Sequence, residues 1–123
     1  MMRRTLIIAL LFSMLWLGSA WSGTLAKPGQ IKHVVIVWLN QADNVDRFMA
    51  LSKQLVELPG VVDYSIGPAL PSGPGDGFHV GVVVTLEDRQ SLYDYLRHPR
   101  HQDLIDKMRP LVERVVTYDF ITR

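Results

Sequence analysis

Phe78-His79-Val80-Gly81-Val82-Val83-Val84-Thr85-Leu86 is the stretch on which the fold turns. It is almost wholly apolar and rich in β-branched residues, as expected of a central strand covered on both faces. His79, Gly81, Val83 and Thr85 share one face, and Gly81 leaves space there. Phe78, Val80, Val82, Val84 and Leu86 share the other, which is fully apolar and must be covered. Upstream, the proline- and glycine-rich segment Pro68 to Gly77 reads as an open loop, either a long hairpin connection or a flap beside a pocket. Before it, Val61 to Gly67 is a shorter strand with Tyr64 and Ile66 on one face.

Ile31-Lys32-His33-Val34-Val35-Ile36-Val37-Trp38-Leu39 is a second central strand, with His33 on the face of Val35, Val37 and Leu39. Between the two lies a helix in which Val45, Phe48, Met49, Leu55 and Val56 recur at helical spacing. Asp43 is its expected cap and Pro59-Gly60 its stop. Downstream of Leu86, Thr85 and Asp88 resemble a capping box that opens a second helix carrying Leu92, Tyr95 and Leu96. Pro99 disfavours helical geometry at His98 and breaks that helix. A further helical segment aligns His101 with Leu104, Ile105 and Met108. Val115 to Ile121 alternates as a last strand.

The order β-α-β-β-α-β predicts an α+β, ferredoxin-like fold with a four-stranded antiparallel sheet. Within it, residues 31–39 and 78–86 are read as neighbours running in the same direction. On that reading His33 and His79 stand at one end, and Tyr95 to His101 returns to the same end. Four histidines and a tyrosine then surround one cavity. The opposite face, with Trp38, Val80, Val82 and Val84, needs a cover. A second copy is the expected one, making a homodimeric α/β barrel.

The first residues read as a signal peptide. Arg3 and Arg4 precede the apolar run Thr5 to Leu17, and small residues follow. Cleavage is expected after Ala20 or Ala26, leaving residues 27–123 as an exported domain, periplasmic or secreted. No stable membrane association is expected after cleavage, because the apolar run is shorter than the ~20 residues that span a bilayer. The formal net charge of +1 gives no footprint for nucleic acid. Cysteine is absent, so export brings no disulfide.

The pattern Ile31-Lys32-His33-Val34-Val35, Leu58-Pro59-Gly60-Val61, the His79-containing strand, Tyr95-x-x-His98-Pro99-x-His101 and Tyr118-Asp119-Phe120 resembles the stress-responsive dimeric A/B-barrel (Dabb) family over residues 31–121. The resemblance implies a dimer whose two sheets close into a barrel, similar in fold to small cofactor-free monooxygenases. The family includes a cofactor-free polyketide cyclase. The resemblance puts Tyr95 and His101 at the positions of its catalytic tyrosine and histidine, and matches His33, His79 and His98 to its other histidines.

Chemically, a histidine base near neutral pKa and a tyrosine hydroxyl can together abstract a proton and hold an enolate oxygen. The tentative catalytic residues are therefore His101 as base and Tyr95 as oxyanion donor. His33, His79 and His98 are the candidate ligand-binding residues. The bland alternative is a set of buried rings satisfied by backbone partners. A metal site would need His98 and His101 to converge across Pro99, so no metal is expected, and no cofactor motif is present. Arg97 and Arg100 either hold a substrate carboxylate, or are solvated or paired with Asp94 and Asp103 at the surface. The expected function is a domain of unassigned activity that binds a small hydrophobic ligand in a histidine-lined cavity. The alternative is a cofactor-free cyclase, isomerase or monooxygenase.

Overall fold

The computed structural model describes residues 22–71 and 77–123. The segment up to Trp21, expected to be a signal peptide, and the tip of the 68–77 loop lie outside the described residues. Four strands, β1 (Ile31–Leu39), β2 (Val61–Pro68), β3 (Val80–Leu86) and β4 (Val112–Ile121), form one sheet in the order β2-β3-β1-β4. Among the described residues there are also three α-helices, α1 (Val45–Lys53), α2 (Arg89–Arg97) and α3 (Pro99–Met108), and three short 3-10 turns. This is the ferredoxin-like α+β arrangement read from the sequence.

The expected direction of the two central strands is corrected. β1 and β3 pair antiparallel, with His33 opposite Val84, Val35 opposite Val82 and Val37 opposite Val80. The reason is topological. A right-handed crossover through α1 makes β2 run with β1, and the connection between β2 and β3 then reverses the chain. Directly opposed residues of an antiparallel pair point to the same face. Val80, Val82, Val84 and Leu86 therefore share the face of His33, Val37 and Leu39, not the uncovered one. That face is the core: Val37, Val80, Val84 and Leu86 are at most 1 % exposed and join Phe48, Leu92 and Leu104 from the helices in one cluster.

The other face carries Lys32, Val34, Ile36 and Trp38 of β1 beside Phe120, Tyr118, Val116 and Arg114 of β4. Tyr118 is 64 % exposed and Phe120 56 %. Lys32 Nζ donates to Thr85 Oγ1 at 2.6 Å across this face, and Arg114 lies over the Trp38 ring at 4.4 Å.

The helix ends follow local chemistry. Asp88 itself caps α2, its carboxylate accepting from Ser91 N–H at 2.7 Å. Thr85 is committed to the sheet. At the start of α1, Asn44 takes the cap position expected of Asp43, without a side-chain bond. Gly60 turns the chain at φ +84°, and a Cβ there would sit 2.8 Å from Ser91 Cβ. The tight approach seats the start of α2 on the end of the first helical segment.

Candidate active-site cavity

Between the inner sheet face and helices α2 and α3 lies a cavity of about 260 Å³. That is close to the lower end of ordinary small-molecule sites, roughly 300 Å³. Val35, Val82, Leu96 and Ile105 supply apolar wall. His33, Tyr64, Tyr95, His101 and Asp119 supply the polar groups.

The kink between α2 and α3 brings Tyr95 and His101 together. Pro99 holds His98 in an extended conformation, φ −58° and ψ 134°. It also takes the first position of α3, where a missing N–H costs nothing. His98 is the cap of that helix: its Nδ1 accepts the Arg100 N–H at 3.1 Å. One turn on, His101 lies on the buried stripe with Leu104 and Met108. Its ring meets Tyr95 edge-on, with centroids 4.7 Å apart, and Tyr95 meets His33 at 6.1 Å.

His33 has a partner that the sequence reading did not single out as a site residue. Its Nδ1 lies 2.5 Å from Asp119 Oδ1, a contact set by the register that opposes residues 33 and 119 on β1 and β4. With Asp119 as a carboxylate, Nδ1 carries the proton and donates. The acid thereby fixes the ring's orientation, as in histidine–carboxylate pairs of hydrolytic sites. The signal for it was present: Asp119 shares one face of the alternating last strand with Thr117 and Ile121.

Tyr64 also lines the cavity, but its hydroxyl is committed. It donates to the Ser52 carbonyl at 2.9 Å, so the Ser52 hydroxyl, 2.5 Å away, donates to it. The pair satisfies a buried serine on α1. Burial raises the Tyr64 pKa, against the bond from Ser52.

Tyr95 and His101 differ from it. No hydrogen bond is made to the Tyr95 hydroxyl among the described residues, and burial, with Tyr64 nearby, raises its pKa. It remains a neutral donor across the physiological range. His101 Nδ1 is buried with no partner. Burial, then the neighbouring His33 and His98, push the His101 pKa down to about 4, so at neutral pH its ring is uncharged and has a free lone pair. The bland expectation, both groups closed off by backbone, is not met.

His79 and His98 do not line the cavity. Because β3 runs against β1, His79 lies at the opposite end from His33. There its N–H donates to the Val37 carbonyl at 2.8 Å, and its Nδ1 accepts the Leu39 N–H at 2.9 Å. The expected convergence of four histidines is thus corrected to two, joined by Asp119 and Tyr95. Among the described residues no group of three or more His, Asp or Glu side chains is placed to hold a metal ion. The surface pairs expected for Arg97 and Arg100 are made by others: Lys107 binds Asp103 at 3.0 Å, and Gln90 donates to Asp94.

Solved structures share this architecture. A Dabb family protein with a ferredoxin-like fold from Mesorhizobium loti MAFF303099 is 25% identical, with a TM-score of 0.69 over 77% of this chain and 98% of that one. A dimeric ferredoxin-like protein of unknown function from Thermobifida fusca YX is 22% identical, with a TM-score of 0.67 over 82% of this chain and 99% of that one. The hydroxynitrile lyase of Passiflora edulis is 17% identical, with a TM-score of 0.70 over 79% of this chain and 96% of that one. No curated protein matches the sequence. The stress-responsive A/B barrel domain family matches residues 31–122, which span all four strands and α1 to α3. The chain belongs to the stress-responsive A/B barrel (Dabb) family.

Proposed function

We propose that this protein is an exported homodimer that takes a small, mainly apolar molecule into the cavity beneath α2 and α3. The observation that carries the reading is an apolar wall beside His101, whose buried Nδ1 has no protein partner, with Tyr95 lining the same space. A buried polar atom left without a partner costs roughly 1–3 kcal/mol, and a ligand's polar atom removes that cost. The dimer is supported by the uncovered sheet face with Tyr118 and Phe120 and by the dimeric Thermobifida relative. Export rests on the charged and apolar start of the sequence.

A second reading, cofactor-free acid–base catalysis, is favoured by the His33–Asp119 pair. A carbonyl compound in the cavity would place an α-proton near a neutral histidine and its oxygen near a tyrosine hydroxyl. The base takes the proton, the C–H electron pair moves to the carbonyl oxygen, and the Tyr95 O–H holds the resulting enolate. His101 is the proposed base; its low pKa makes it available but weak. His33, oriented by Asp119, is the alternative base. The hydroxynitrile lyase among the structural relatives shares this fold with the present chain.

The test uses 2-tetralone in D2O, with binding read by NMR line shape and exchange by loss of the α-proton signals. Binding by wild type and its loss in a cavity-filling Ile105→Trp variant are expected. Catalysed exchange that Tyr95→Phe and His101→Gln each lower by at least ~100-fold supports the enzyme reading. With His101 as base, the rate climbs as pH rises through about 4 and is level above pH 6. Binding without exchange leaves a binding protein, and failure to bind contradicts both readings.

A further inference from the structure

A second, larger pocket of about 540 Å³ opens beside the first, where the ends of β1 and β4 meet the start of α2. Buried Ile31 and Leu92 line it, with Tyr93 and Phe120. Its charges are Arg89, from α2, and Arg123, beyond β4, set against the single acid Asp119. Asp119 also lines the inner cavity, so the carboxylate that holds His33 borders both spaces. Neither arginine forms an ion pair among the described residues. Other exposed cations nearer the helix surface do, Lys107 with Asp103 and Arg109 with Asp106.

We propose that this outer pocket holds the carboxylate of an amphipathic organic acid whose apolar body extends past Asp119 into the inner cavity. Two guanidinium groups from separate elements can grip a carboxylate from two sides, and a guanidinium fork matches a carboxylate's paired oxygens. The single acid that would repel such an anion has one oxygen committed to His33, and the two arginines outnumber it. The aromatic and aliphatic walls suit the portion of the ligand next to the charge. The proposal rests on the reading of the inner cavity as a ligand site and adds to it the substrate class, an organic acid rather than a neutral hydrophobe.

The experiment compares 2-naphthoate with its uncharged isostere 2-naphthamide by calorimetric titration of the intact protein at low salt. Naphthoate should bind at least about tenfold more tightly. The double variant Arg89→Gln, Arg123→Gln should lose that preference while binding naphthamide as wild type does. Both residues are exposed, so folding should be unaffected. Raising the salt to 0.5 M should erode the preference, because the pairs face solvent. Equal binding of both isosteres, unchanged by the double variant, overturns the anion site while leaving the cavity reading intact. Binding of neither probe contradicts both. A preference for naphthoate that survives the double variant also overturns the assignment, since the anion would then be held elsewhere.

Discussion

His33 and His101 border a cavity; His79 and His98 serve the backbone. The two pairs come from the same sequence pattern, yet they face opposite requirements. His79 accepts an amide at the end of β1, and His98 caps α3. Each meets a donor that would otherwise lack a partner where a strand or helix begins or ends. His101 has a buried nitrogen with no partner, and His33 is held by a carboxylate. The difference teaches that a histidine's role follows from what its ring nitrogens meet. Sharing a motif does not decide it.

That contrast breaks most sharply under substitution. His101→Gln should abolish 2-tetralone exchange while the melting temperature stays within a few degrees of wild type. His79→Ala should do the reverse. It leaves the Leu39 N–H without its acceptor, costs about 1–2 kcal/mol, and leaves ligand affinity within twofold. Thermal melts and titrations on the two variants check this together. Loss of affinity in His79→Ala would put His79 back among the ligand contacts.

The next largest effect is on pH dependence. His101 has a folded-state pKa pushed down to about 4, below the ~6.5 of an unfolded chain. Between those values the unfolded state binds the extra proton, so stability rises with pH across the window. The contribution is fully present above about pH 6.5 and is lost as pH falls toward 4, a change on the order of 2 kcal/mol after allowance for relaxation of the site. Denaturant midpoints from pH 4 to 7 should show this slope in wild type and a shallower one in His101→Gln. Equal slopes would mean that His101 is solvated and the contrast with the surface-facing histidines is lost.

Much of this was legible before the structure. Nearly continuous, β-branched apolar runs at 31–39 and 78–86 identified the central strands, a signal that does not depend on strand direction. His101 was legible as inward because Leu104 and Met108 share its helical stripe. Strand direction was not, and with it went the placement of His79. The partner of His79 is a backbone amide forty residues away in sequence, and no local pattern marks it. Asp119 falls in the alternating last strand, but its face and its meeting with His33 depend on which strands pair and in what register. His98 was read as the residue where a helix breaks and as a candidate ligand contact, not as a cap. The same proline that ends α2 also starts α3, and a cap is needed there. Val82 was assigned to the dimer face for the same reason of direction; at 4 % exposure it belongs to the core.

The corrected faces give a smaller test on the far side of the sheet. Tyr118→Asp adds a charge to the exposed aromatic face and should shift a dimer to monomer in sedimentation, leaving the cavity intact. Val82→Asp should instead lower stability by several kcal/mol, since it buries an unpaired carboxylate. Smaller still, Gly60→Ala should cost about 1 kcal/mol or more, through its positive φ and the close approach of Ser91.

The contrast between the histidine pairs is tested most directly by 15N NMR of the four imidazole rings, with and without 2-tetralone. Nδ1 of His79 and of His98, each accepting a backbone amide, should give the signal of a hydrogen-bond acceptor nitrogen. Ligand should shift the ring nitrogens of His33 and His101 and leave those of His79 and His98 in place. Ligand-induced shifts at His79, or none at His101, would contradict it.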